Sequence, residues 1–134
     1  MFGMEVPPRR NMARPEAACL VEVLRALNAH PRVAWCERQN SGALRAGGRF
    51  IKFGWRGCSD VLGQLTDGRF LAVEVKAPKG TANPEQIEFL ARVRAAGGVA
   101  FIARDLRDVH RNLLERNPAG NGATTGGTSC PTFE

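Results

Sequence analysis

Hydrophobic residues recur at helical spacing near the start of the chain. Residues 15–30 carry a stripe at i, i+3, i+4, i+7, i+8 and i+11, which is one face of a helix. Pro15 suits a first helical position, and the step into Pro31 ends the helix. The stripe begins with Glu16, so the pattern predicts an acid on the core-facing side. Its apolar members are Cys19, Leu20, Val23, Leu24 and Leu27.

Short apolar runs then predict a series of strands. The candidates are residues 33–39, 49–53, 61–65 and 69–77, with 40–48 as a loop and 54–60 as a Gly-rich turn. Asp67 and Gly68 between the last two runs are a strong hairpin signal. We therefore expect those two strands to pair antiparallel.

A second helix follows, with its start signals in the sequence. Asn83, Pro84 and Gln86 read as an N-cap, a first helical residue and a capping-box partner. The helix carries apolar residues as far as Val93 and ends at Gly97 and Gly98. Residues 99–103 read as an interior strand buried on both faces, and 106–115 as a last helix. The order of elements is helix, three or four strands, helix, strand, helix, which predicts an α/β sandwich around a central mixed sheet.

The two ends lack this periodicity. Residues 1–13 read as a flexible N-terminal arm, and residues 117–134, rich in Gly and Thr, read as a disordered tail. A chain of 134 residues has room for one ordinary domain, which we place at residues 14–116.

Composition narrows the class of protein. The chain is 43% hydrophobic with no apolar run near the ~20 residues that span a bilayer, so we expect no membrane partner. Its first residues contain no apolar stretch, so we expect no secretory signal there. The cysteines lack zinc-site spacing and read as free thiols in a reducing cytoplasm. They are Cys19, Cys36, Cys58 and Cys130. The net charge of +6 comes mostly from arginine, the cation best suited to phosphate, which points to a polyanionic partner.

Charged side chains interrupt the apolar strand at 69–77. Because side chains alternate along a strand, Glu74 and Lys76 share one face. Across the predicted hairpin, Asp60 at the start of the preceding strand faces the end of this one. Two carboxylates and an ammonium at one end of a sheet could hold Mg²⁺ through hard oxygen ligands. The alternative is a surface ion-pair patch that contributes little.

At these residues the sequence resembles the PD-(D/E)xK nucleases, in particular the VRR-NUC branch of phage and repair nucleases. The resemblance covers about residues 15–114, and Ser59 stands where the superfamily name has proline. The matching stretches are Glu16, residues 40–43, residues 57–60, residues 74–76, residues 83–86 and residues 96–98. It implies a restriction-endonuclease-like core with αβββαβ order.

The resemblance also implies roles for individual residues. Asp60, Glu74 and the backbone carbonyl of Val75 would bind the metal, and Lys76 would position or activate the attacking water. Glu16 would add a metal-binding acid, directly or through water, and Gln86 would be a catalytic-site glutamine. Each of the last two has a simpler interpretation: Glu16 as an acid favoured near a helix N-terminus, and Gln86 as a capping residue.

A basic segment leads into Asp60. Residues 38–59 contain no acid, and their cations are interleaved with aromatic residues, a pattern typical of phosphate contact. The predicted DNA-binding residues are Arg38, Asn40, Arg45, Arg49, Lys52 and Arg56. We expect Phe50 and Trp35 to belong to the core. No base-reading helix is visible, so we expect recognition of DNA shape rather than of sequence.

The hypothesis is a metal-dependent DNA endonuclease that uses Mg²⁺, or Mn²⁺ in its place, to hydrolyse phosphodiester bonds. The resemblance implies double-stranded, branched or junction DNA as partner, in phage replication, recombination or DNA repair. It implies the cytoplasm of a bacterial or phage-infected cell, and a homodimer would suit the cutting of two strands. The alternatives are a non-catalytic nucleic-acid-binding module with a nuclease-like fold and a sequence-specific restriction-type nuclease.

Overall fold

The structure, a computed structural model, describes residues 9–39 and 42–114, and within β2 and β3 it describes the backbone but not the side chains, Arg49 excepted. Three helices and six strands alternate along this part of the chain. In chain order they are α1 (Glu16–Ala29), β1 (Val33–Arg38), β2 (Gly42–Ala46), β3 (Arg49–Phe53), β4 (Val61–Leu65), β5 (Phe70–Val75), α2 (Pro84–Ala95), β6 (Val99–Ala103) and α3 (Leu106–Asn112). The chain is therefore an α/β protein, as its periodicity predicts.

Four strands form an open mixed sheet in the order β1-β4-β5-β6. The predicted hairpin is present, with β4 and β5 antiparallel and Val61 opposite Val73. The connection from β5 through α2 to β6 makes the last pair parallel, as a helical crossover requires. β2 and β3 form a separate two-stranded sheet.

Helices cover the four-stranded sheet on both faces. Because side chains alternate along β5, Leu71, Val73 and Val75 pack with α1 and α3, whereas Ala72 packs with α2. The core under α1 and α3 is the larger of the two and contains all three buried residues of α1. Glu74 follows the alternation and lies on the α2 side, in place of an apolar residue.

Two glycines permit close packing in this sheet. A Cβ on Gly63 would lie 2.3 Å from the carbonyl oxygen of Trp35 on β1. A Cβ on Gly98 would lie 2.7 Å from Val93 and 2.9 Å from the carbonyl oxygen of Phe70, where α2 ends against β5. Both positions require a residue without a side chain because the neighbouring groups are backbone or short branched atoms.

Three expectations about strands and core are wrong. Residues 42–46, expected within a loop, form β2, since pairing with β3 outweighs the weak strand signal of a Gly- and Ala-containing segment. β6, expected to be interior, is the edge strand of the sheet, and its apolar residues are buried by α2 and α3 instead of by a further strand. Trp35, expected in the core, is 52% exposed because α2 lies over β5 and β6 and leaves β1 open on that face.

Two arginines that precede α1 form ion pairs with acidic side chains of the domain. Arg10 lies within the predicted flexible arm, and its guanidinium pairs with Asp105 at 2.9 Å and Asp108 at 3.0 Å. Arg14 pairs with Glu22, which also accepts a hydrogen bond from the backbone N–H of Leu106 at the start of α3. Residues 1–8 of the predicted arm and the whole predicted tail lie outside the described residues.

Within the described ranges, no helix has both the length and the apolar content to cross a membrane. Cys19, Cys36 and Cys58 are buried free thiols there, as predicted, whereas Cys130 lies in the tail outside those ranges.

Candidate functional site

The β4–β5 hairpin brings the predicted carboxylates together. Asp60 lies immediately before β4, beside the end of β5, and its Oδ2 accepts a hydrogen bond from the backbone N–H of Val75 at 2.8 Å. Its own carbonyl accepts from the N–H of Gln39, which follows β1, at 2.7 Å. Backbone groups of two neighbouring strands therefore hold Asp60 beside Glu74.

Glu74 is a buried carboxyl on the face covered by α2, and it is only 1% exposed. Its Oε1 accepts a hydrogen bond from Nε2 of Gln86 at 2.9 Å and lies 3.3 Å from Nζ of Lys76. Its Oε2 has no hydrogen-bond partner within the part of the chain that the structure describes. An ionised buried carboxylate oxygen without a partner is costly, so this atom requires either a cation or a proton that it can share with the neighbouring Asp60 carboxylate.

The surroundings of Glu74 favour its protonated form. Burial, followed by the negative charge of Asp60, raises the pKa of Glu74 to about 8, against the opposing effect of Lys76. Burial also raises the pKa of the Cys58 thiol, with smaller contributions from the same two carboxylates. A strongly raised carboxyl pKa beside a second carboxylate is typical of catalytic and metal-binding sites.

Lys76 extends β5 by one ladder bond. Its N–H donates to the carbonyl of Ala103 on β6 at 3.1 Å, and its side chain is 12% exposed. This bond fixes the backbone, so the ammonium is held on the same side as Glu74 at the mouth of the site.

Gln86 satisfies both interpretations made from the sequence. Its side-chain oxygen accepts from the N–H of Asn83, and its own N–H donates to the Asn83 side chain, which completes the capping box of α2. Its Nε2 remains free to donate to Glu74. The cap therefore orients the amide toward the buried carboxyl.

Hard oxygen atoms line this end of the sheet. Besides Glu74 Oε2, the buried side-chain atom without a partner in the described ranges is Oγ of Ser59, the residue before Asp60. The two carboxylates offer oxygen donors of the kind that suits Mg²⁺ or Mn²⁺, which bind through one or two carboxylates plus water and substrate oxygens. The residues present therefore fit the cation predicted from the sequence.

Glu16 is not part of this cluster. The expectation of a core-facing acid is wrong, because Glu16 begins α1 and is exposed, one turn before the first buried residue of that helix, Cys19. α1 packs on the opposite face of the sheet from Glu74. No group of three or more His, Cys, Asp or Glu side chains able to hold a metal occurs within residues 9–39 and 42–114.

Four residues of the predicted site, Asp60, Glu74, Lys76 and Gln86, thus meet at one place.

The chain matches no family model, curated protein or solved structure. The interpretation of the site therefore depends on its own geometry and chemistry.

The predicted DNA-binding residues are only partly described. Arg38 is exposed at the end of β1, directly before Gln39, which holds Asp60. Arg49 is exposed at the start of β3, and Arg56 is exposed and 3.5 Å from Glu85 at the first turn of α2. Asn40 and the side chains of Arg45 and Lys52 lie outside what the structure describes, as does the side chain of Phe50.

Sequence reasoning missed an aromatic feature beside this site. Trp55 is 58% exposed and makes an edge-to-face contact with Phe89 of α2, with ring centroids 5.1 Å apart. Phe70 at the start of β5 is also exposed. The interleaving of aromatic and basic residues in 38–59 was the available signal, but it does not indicate which rings remain open to solvent.

Proposed function

We propose that this protein is a metal-dependent DNA endonuclease that hydrolyses phosphodiester bonds, with selectivity for branched or junction DNA. The observation that carries the proposal is the meeting of Asp60, Glu74 and Lys76 at one end of the sheet, where a buried Glu74 oxygen has no partner among the described residues. The order of α1, the β4–β5 hairpin, α2 and β6 is compatible with a restriction-endonuclease-like core.

Asp60, Glu74 and the carbonyl of Val75 would hold the cation, which when bound supplies a water of lowered pKa and stabilises negative charge on a phosphoryl oxygen. Two features of the chain prepare these ligands. The N–H of Val75 holds one oxygen of Asp60, and Gln86 holds one oxygen of Glu74. The second oxygen of Glu74 is thereby left available to a ligand.

Lys76 would be the group that touches the reacting atoms. Its ammonium lies 3.3 Å from Glu74 Oε1 and can donate to the attacking water or to a phosphate oxygen. The side chain is nearly buried, so its charge acts in a medium less polar than water and is screened less by salt. Gln86 is a positioning residue that acts through Glu74.

The charge of the chain supports a polyanionic substrate. A net charge of +6 and the exposed Arg38 and Arg49 on the segments before Asp60 favour contacts with phosphate. Arginine matches phosphate geometry with two parallel hydrogen bonds. This contribution to affinity does not depend on base sequence.

Cleavage assays test the proposal. Purified protein is incubated with linear duplex, flapped and four-way DNA, with Mg²⁺, with Mn²⁺ and with EDTA. We expect metal-dependent cleavage that Asp60→Asn and Lys76→Ala each reduce at least 100-fold. Asp60→Asn keeps an oxygen that can accept from Val75, so folding is preserved, and Glu16→Gln and Lys79→Ala are controls on exposed charges. Cleavage that both variants retain would refute the proposal.

A non-catalytic nucleic-acid-binding module is the second candidate, favoured by the fact that only two carboxylates meet in the described part of the site. It predicts salt-sensitive DNA binding with no turnover in either metal. Binding that stays the same in Asp60→Asn and in EDTA, without cleavage, would select this candidate.

A further inference from the structure

We infer that the groove between the Trp55 loop and the C-terminal half of α2 is a binding site for an unpaired nucleobase of single-stranded DNA. The inference deepens the proposed function, on which it rests for the identity of the nucleic acid. It assigns a substrate feature, an unpaired base near the cleaved bond, to residues that do not belong to the carboxylate site.

The groove has the size and lining of a ligand site. Its volume is about 580 Å³, within the usual range of small-molecule sites. The ten residues that line it include three aromatic side chains and two arginines and no acid. The aromatic residues are Trp55, Phe70 and Phe89, and the arginines are Arg69 and Arg92.

Trp55 is held in place without being buried. Its ring contacts Phe89 with the planes at 89°, and Phe89 itself is only 6% exposed and packs in the core under α2. The indole remains 58% exposed, although burial of such a large apolar ring would be favourable. A fixed aromatic ring that stays open to solvent is what base stacking requires.

Charge distinguishes a nucleic acid from an apolar partner at this groove. Arg69 and Arg92 lie on its walls; Arg69 is paired with Asp67 at 2.7 Å, whereas the guanidinium of Arg92 has no hydrogen bond or ion pair to any described residue. Arginine beside an open aromatic ring combines a phosphate contact with a stacking surface, which is the combination used for single strands.

The groove adjoins the carboxylate site on the same face of the sheet. Phe89 lies one turn after Gln86, about 4.5 Å further along α2. Phe70 lies four residues before Glu74, about 13 Å along β5. A single strand that crosses the carboxylate site would therefore have a base within reach of Trp55 a few nucleotides away.

Binding measurements in EDTA test this inference without any need for cleavage. The probe is a fluorescent 15-residue oligothymidylate, followed by anisotropy, beside an oligonucleotide of equal length whose central residues are abasic. We expect Trp55→Ala to weaken oligothymidylate binding about tenfold or more and to abolish the difference between the two probes. Trp55→Phe should restore most of the affinity, because it restores a ring.

Matched variants separate stacking from general effects. Trp35→Ala removes the other exposed tryptophan, which donates to Gln64 and does not line the groove, and it should leave binding unchanged. Arg92→Gln should lower the slope of log affinity against log salt by about 0.7, whereas Arg25→Gln on α1 should not.

Three results would overturn the inference. The first is an unchanged affinity of Trp55→Ala for oligothymidylate, and the second is an equal loss of that affinity in Trp35→Ala. The third is a change of oligomeric state in Trp55→Ala without a change in DNA binding. The last result would assign the groove to a second copy of the chain. If Trp55→Ala loses base-dependent binding but the wild-type protein cleaves no DNA, this inference stands and the endonuclease proposal is refuted. If the wild-type protein cleaves DNA but Trp55→Ala binds as the wild type does, the endonuclease proposal stands and this inference is refuted.

Discussion

The buried carboxyl of Glu74 should make the stability of the metal-free protein fall as pH rises. The pKa of Glu74 is about 8 in the folded protein and near 4.5 in an unfolded chain. Between these values the folded state binds a proton that the unfolded state has released, so unfolding becomes easier with increasing pH. The stabilisation is complete below pH 4.5 and is lost as pH rises through about 8.

The size of the effect follows from the two pKa values. Each unit of difference corresponds to about 1.4 kcal/mol, so the whole difference represents roughly 5 kcal/mol, of which on the order of 3 kcal/mol is lost between pH 5.5 and pH 8.5. The groups that face Glu74 are Asp60, which raises this cost, Lys76, which lowers it, and the neutral amide of Gln86. For a domain of this size the loss corresponds to a fall in Tm on the order of 10 °C.

Glu74→Gln is the variant that isolates this group. Its amide oxygen can accept from Gln86, its amide nitrogen can donate to Asp60, and it has no charge to lose. In EDTA, we expect the wild-type Tm, followed by circular dichroism, to fall between pH 5.5 and 8.5 by about 10 °C more than that of Glu74→Gln. Glu16→Gln, which removes an exposed acid, should follow the wild-type curve.

Parallel pH curves for wild type and Glu74→Gln would refute the reasoning, because they would show that Glu74 does not hold its proton. Mg²⁺ supplies a second comparison. A cation bound to Asp60 and Glu74 displaces that proton, so Mg²⁺ should raise the wild-type Tm more at pH 8 than at pH 6 and have little effect on Glu74→Gln.

Three further outcomes are expected. Loss of the α2 cap should lower the free energy of unfolding, measured in urea, by about 1 kcal/mol in both Gln86→Ala and Asn83→Ala. Only Gln86→Ala should also reduce cleavage. Equal cleavage activity in the two variants would exclude a role for the Gln86 amide at Glu74. Gly63→Ala should destabilise by several kcal/mol, since the new Cβ would meet the carbonyl of Trp35 at 2.3 Å, and a loss below 1 kcal/mol would show that β1 can shift. Arg10→Ala should cost about 1–3 kcal/mol, because it removes the ion-pair partner of Asp108 and one of the two ion-pair partners of Asp105, both nearly buried; an unchanged denaturation midpoint would contradict those ion pairs.

Much of the fold was predictable from local patterns. The Asp67–Gly68 turn, the alternation in residues 70–75 and the Asn83–Gln86 cap are each written within a few residues, and each is confirmed. The pairing of Asp60 with the end of β5 followed from the hairpin, because register across a two-stranded turn is set by the turn itself.

Other features required the assembled chain. The edge position of β6 and the exposure of Trp35 depend on where α2 lies over the sheet, and no periodicity in either segment encodes that placement. The same holds for Glu16: its spacing matched the buried stripe of α1, but the helix begins beyond the edge of the core.

The sequence by itself determined which residues could carry the chemistry, since alternation and turn geometry act over short distances and bring Asp60, Glu74 and Lys76 to one end of a hairpin. Only the tertiary structure decided the state of that site. Packing of α2 against the sheet buries Glu74, supplies the Gln86 amide and leaves one carboxyl oxygen of Glu74 without a partner in the part of the chain that the structure describes. The cost of burying charge is a property of the surroundings rather than of the residue, so it arises only when distant segments come together.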